Sequence, residues 1–154
     1  MLGIPFTTAI DMWSFGCILI ELYTGIPIFP GESEQEQISL LMEVIGCPPV
    51  EVLEASQRRQ NFFEFDSNQL AYDVEDSQGN LRIPGGKPLE AIIGNESDSF
   101  LDFISQILVW DPQERIKPLE ALAHPWILEG LPNQVLLLHY KMLGIEVPED
   151  HHPE

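Results

Sequence analysis

The sequence predicts a mainly α-helical fold built from short elements. Three observations carry that prediction. Apolar residues recur at helical length and spacing in several separate stretches. Thirteen prolines and eleven glycines punctuate the chain between them. Only two short runs read as strand, and both fall in the least regular part, residues 61–95.

The elements follow in order. Thr7 and Thr8 precede a first helix from Ala9 to Tyr23, with Asp11 in its first turn, where a negative charge suits the helix dipole, and Gly25 as its stop. Met12, Trp13, Phe15, Cys17, Ile18, Leu19, Ile20 and Leu22 leave it no polar face, which predicts a central, buried helix. A Pro/Gly loop follows, then Ser33 and Glu36 in capping-box spacing before a helix over 34–45. That helix places Ile38, Leu41, Met42 and Ile45 on one face. Gly46 and Pro48-Pro49 end it, and residues 50–60 read as another short helix. AYDVEDSQGNLRIPGG suggests a small β-hairpin around a turn at Ser77–Asn80, an irregular surface loop being the plainer alternative. Helical pattern resumes over 97–109. WDPQERIKPLEALAHPWI reads as a turn, a short helix from Pro118 and a stop at His124-Pro125. A last amphipathic helix over 133–143 carries Val135, Leu136, Leu138 and Met142, and EVPEDHHPE is a polar tail.

Composition narrows the function. Of 154 residues, 44% are hydrophobic and 21% charged, the balance of a folded globular chain. Seven Lys+Arg face 25 Asp+Glu, a net charge of -18, and no Lys or Arg precedes Arg58. Such a surface repels nucleic acid and anionic lipid and suits a basic protein partner, although solubility alone also explains it. Cys17 and Cys47 make no disulfide framework and read as buried or half-buried free thiols of a reducing compartment. The start lacks a basic region and a long apolar run, so an intracellular protein, cytoplasmic or nuclear, is expected. His151-His152 alone define no metal geometry and read as solvated tail.

Three motifs then line up. Asp11-x-Trp13-x-x-Gly16 opens the first helix, Trp110-Asp111-Pro112-x-x-Arg115 follows a later one, and His124-Pro125-Trp126 comes next. In this order and spacing the chain resembles the second half of the C-terminal lobe of a eukaryotic protein kinase. AIDMWSFGCILIELYTGIPIFPGESEQEQISLLMEVIGCPP, NFFEFDS and FLDFISQILVWDPQERIKPLEALAHPWI further resemble the dual-specificity tyrosine-regulated (DYRK) kinases of the CMGC group. The resemblance covers residues 2–130. It implies a partial kinase domain over 1–130 and a C-terminal helix and tail over 131–154.

The resemblance also implies roles. Asp11, with Trp13 and Gly16, would support a catalytic loop by accepting its backbone N–H groups, a use that makes a buried carboxylate tolerable. A plain first-turn acid is the other reading of Asp11. Arg115 would fork onto the glutamate of an Ala-Pro-Glu motif, and otherwise is a surface arginine after a turn. Glu21 would meet a substrate arginine, or be paired internally. Trp110 and Trp126 read as core packing.

Several parts of a working kinase are missing from the sequence. It has no Gly-x-Gly-x-x-Gly, no strand lysine of Val-Ala-x-Lys type, no His-Arg-Asp and no Asp-Phe-Gly. The chain starts where an Ala-Pro-Glu motif should end. No catalytic residue and no nucleotide or metal ligand is therefore expected in this chain, ATP and magnesium belonging to a full-length family member. The expected function is a fragment of a DYRK-like serine/threonine kinase, inactive alone. A stand-alone, non-catalytic module that holds a basic protein is the alternative. Apolar surface near Trp13, Phe15 and Ile18 should be exposed, with marginal stability or self-association as a consequence.

Overall fold

A computed structural model describes residues 1–94 and 98–146. The His151-His152 pair and the end of the tail lie outside the described residues. Eight helices appear among those described: α1 Ala9–Thr24, α2 Glu34–Ile45, α3 Val50–Glu54, α4 Leu89–Ile93, α5 Asp98–Ile107, α6 Pro118–Leu122, α7 Pro125–Glu129 and α8 Asn133–Leu143. One 3-10 turn, Arg59–Asn61, follows α3. Residues 1–115 form one compact unit, and the chain from Ile116 onward forms a second.

The first unit has two apolar layers. Ile38, Leu41 and Met42 of α2 bury against Val52 and Leu53 of α3, Leu2 and the Phe62-Phe63 pair. The second layer is α1 against α4 and α5, where Phe103, Ile104 and Ile107 are fully enclosed. Gly16 sets the approach of the two helices: a Cβ there would stand 2.6 Å from Ile107 Cγ2. Only glycine lets the helices pack this closely.

The helix ends follow from local chemistry. Thr7, rather than Thr8, supplies the hydroxyl that accepts from Ala9 N–H (3.3 Å). Gly25 closes α1 at φ 80°, its N–H donating to the Glu21 carbonyl. Ser33 Oγ accepts from Glu36 N–H at 3.1 Å, but the return arm of the box goes to Glu32 N–H at 3.0 Å.

The insert differs from expectation in part. Its hairpin is reduced to one antiparallel bridge, Glu75 with Leu81, around a turn in which Asp76 accepts from the Gln78 and Asn80 amides. Arg82 ties it to α2 through Glu43 at 2.7 Å, and Gly85 N–H and Lys87 N–H donate to the Met42 and Glu43 carbonyls. α4 was not expected; five residues carry too little periodicity to stand out from a loop.

In the second unit, His124 explains its own motif. Its buried Nδ1 accepts from Trp126 N–H at 3.2 Å, and Pro125 takes the first helical position, where no N–H is needed. Trp126 is half-buried rather than a core residue. Cys47 is also corrected: it is exposed, because the Gly46–Pro49 turn carries it past the end of α2.

Candidate functional site

The site is the outward side of α1 and the cavity at its start. α1 is not buried all round. Met12, Gly16 and Ile20 are buried, one side of the helix. Phe15, Ile18 and Leu22 are 39%, 54% and 78% exposed, with Tyr23 and Ile26 beside them. The helix has an apolar circumference, yet one side of it stays open within its unit, as expected for Phe15 and Ile18. Trp13 departs from that expectation. It is half-buried, stacked on Phe29 with ring centroids 5.9 Å apart.

Arg115 completes the arrangement. Its guanidinium lies over the Trp13 ring, 4.9 Å from the centroid. One terminal nitrogen donates to the Ala9 carbonyl at 2.7 Å and the other to the Val109 carbonyl at 2.8 Å. The residue is 9% exposed, and its buried Nε has no hydrogen-bond partner among the described residues. Burial lowers its pKa, and the Asp111 carboxylate pulls it partly back. Arg115 therefore ties down the first turn of α1 and leaves its buried Nε–H unmatched.

Arg115 also lines a cavity of about 560 Å³, shared with residues 1–7, Trp13, Arg58 and Trp110. Trp110 is half-buried, and its Nε1 donates to the Gly46 carbonyl at 3.0 Å. Arg58 holds the irregular start of the chain. It donates to the Met1 carbonyl at 3.0 Å and forks onto Glu34 with both nitrogens at 2.7 Å. Sequence reading did not single out Arg58, although its place as the first cation of an acidic chain was a usable signal.

The structure brings together Trp13 and Arg115, with Asp11 two residues on from the Ala9 carbonyl that Arg115 holds. Asp11 and Glu21 are exposed, and no hydrogen bond or ion pair reaches either carboxylate among the described residues. Cys17 is half-buried, and burial pushes its thiol from 9.0 up to about 11 despite nearby Arg115.

Among the described residues, no group of three or more His, Cys, Asp or Glu could hold a metal ion. The sequence holds no Gly-x-Gly-x-x-Gly stretch of the kind that covers the phosphates in kinases. No helix among them is long and apolar enough to cross a membrane.

Comparison with known proteins gives this geometry a lineage. The protein kinase domain family matches residues 3–127. Dual specificity tyrosine-phosphorylation-regulated kinase 4 of Homo sapiens is 46% identical over 127 residues, covering 82% of this chain and 24% of that protein. Dual specificity tyrosine-phosphorylation-regulated kinase 2 of Drosophila melanogaster is 46% identical over 127 residues, 82% of this chain and 17% of its own length. Serine/threonine-protein kinase ppk5 of Schizosaccharomyces pombe is 42% identical over 128 residues, 83% and 15%. The chain thus spans about a quarter or less of these relatives. On these matches, the chain belongs to the protein kinase domain family, within the DYRK group.

Proposed function

We propose that this chain is the rear part of a DYRK-like kinase C-lobe, without phosphoryl-transfer chemistry of its own, and that α1 and the Arg115 cavity seat the rest of the kinase domain. The observation that carries the reading is the pairing of an open apolar face on α1 with a buried guanidinium that keeps one donor unused. An apolar face of this kind is costly in water and is normally covered. A carboxylate entering the cavity would complete the Arg115 fork, the role that the Ala-Pro-Glu glutamate plays in the family. Asp11, on the turn held by Arg115, would accept backbone N–H groups from the arriving catalytic loop, with Trp13 and Gly16 holding its helix in place. Glu21 would then face a basic side chain of the protein substrate. ATP and magnesium would be bound by the part that arrives.

The test is complementation. The upstream part of the kinase domain of the human relative, ending after its Ala-Pro-Glu motif, is mixed with or fused to this chain. The expected result is phosphorylation of a basic Ser/Thr peptide by the pair and not by either part. Asp11→Ala should lower that activity at least about tenfold. Equal activity with and without this chain would refute the reading. Capture of basic proteins without any gain in activity would favour the stand-alone module, which the net charge of -18 would suit.

A further inference from the structure

We propose, resting on the seating role given under Proposed function, that Arg58 is a positioning residue for the kinase reaction. With Ser56 and Glu34 it clamps the main chain at residues 1–3, and so aims a chain joined to Met1 at the Arg115 cavity. Three consecutive residues are gripped. Arg58 Nη1 donates to the Met1 carbonyl at 3.0 Å. The Leu2 carbonyl accepts from Ser56 Oγ at 2.6 Å and from the Arg58 N–H at 3.2 Å. Gly3, at φ 75°, passes so close that a Cβ would stand 3.2 Å from Arg58 Cγ and 3.3 Å from Gln57 Cβ. The Leu2 side chain is buried in the core with Ile38, Leu53 and Phe62.

The clamp is itself anchored twice. Both terminal nitrogens of Arg58 meet Glu34, in the first turn of α2, at 2.7 Å. The guanidinium also lies 5.3 Å from the centroid of the buried Phe62 ring. A forked and stacked guanidinium is oriented before anything docks. The Arg58 and Glu34 side chains are 38% and 50% exposed, and a pair this exposed adds little to global stability. Its use lies in placement. Residues 1–7 form one side of the cavity that Arg115 lines, and Gln57 and Arg58 line it too. Those seven residues carry no charged side chain, so they are held by their carbonyls and by Leu2. A chain reaches at most about 3.5 Å per residue, so a carboxylate three residues before a fixed Met1 stays within about 10 Å of it. Fixing that joint raises the effective concentration of the carboxylate at Arg115, whereas a loose segment spreads it over a larger volume.

Two fusions of the full chain test this. In one, the upstream part of the human relative's kinase domain, ending after its Ala-Pro-Glu motif, is joined directly to Met1. In the other, a flexible Gly/Ser linker of about ten residues separates the two. Arg58→Ala should lower kcat/KM toward a basic Ser/Thr peptide at least about fivefold in the direct fusion. It should leave the linker fusion unchanged, because the linker already frees the joint. Arg58→Lys reaches the Met1 carbonyl but cannot also fork onto Glu34, so it should restore part of the loss. Equal losses in both fusions would mean that Arg58 only stabilises the fold, and would overturn the proposal. So would a direct fusion indifferent to Arg58→Ala. Backbone nitrogen relaxation of the chain alone reads the clamp without any activity. With Arg58→Ala the order parameters of Leu2, Gly3 and Ile4 should fall from about 0.85 to below about 0.6, while α1 and α2 stay rigid. Unchanged order parameters would refute the clamp. An inactive unsubstituted direct fusion, with residues 2–4 loosened by Arg58→Ala, would instead refute the seating role and not the clamp.

Discussion

Arg115 donates to the carbonyls of Ala9 and Val109 and so ties the first turn of α1 to the segment after α5. Arg115→Met should cost about 1–3 kcal/mol in urea unfolding, because it leaves both acceptors without their charged donor. Arg115→Lys should recover only part of this, since one ammonium cannot fork in the same way. Gly16→Val should also destabilise by about 1–3 kcal/mol, since any Cβ collides with Ile107. Cys17 gives a pH signature. Its raised pKa means that the unfolded thiol loses its proton first, near pH 9, while the folded one keeps it to about 11. Stability should therefore fall with rising pH across that window, and Cys17→Ala should flatten the fall. Exposed Cys47 should react with iodoacetamide well before Cys17 at pH 8. The motif spacing marked Arg115 and Gly16 in the sequence. The carbonyls that Arg115 holds were not legible, because Ala9 is 106 residues away and a backbone acceptor has no residue type.

Among the elements, α2 and α8 were the most readable: strong periodicity and clear end signals placed them at Glu34–Ile45 and Asn133–Leu143. α1 was readable as a helix but not in which side it buries, since an all-apolar circumference carries no directional information. The insert was the least readable. Its attachment rests on long-range pairs such as Arg82 with Glu43, 39 residues apart. Arg82→Ala should loosen that attachment, seen as faster hydrogen exchange over residues 72–86 with α2 little changed. If exchange there stays slow, the main-chain bonds of Gly85 and Lys87 suffice on their own.

For the whole molecule, the chain belongs to the protein kinase domain family, and no Gly-x-Gly-x-x-Gly, His-Arg-Asp or Asp-Phe-Gly stretch occurs in its 154 residues. The net charge of -18 adds solubility and opposes nucleic-acid binding, but it supplies no catalytic group. The open face of α1 should bind a hydrophobic dye in the folded chain, and Ile18→Glu with Leu22→Glu should reduce that signal. The most direct measurement of the central claim is calorimetric titration of ATP–magnesium into the folded chain, followed by a phosphorylation assay on a basic Ser/Thr peptide. The account predicts no saturable binding and no turnover until the upstream part of a DYRK kinase domain is supplied. Saturable nucleotide binding by the chain alone, with peptide phosphorylation, would contradict it.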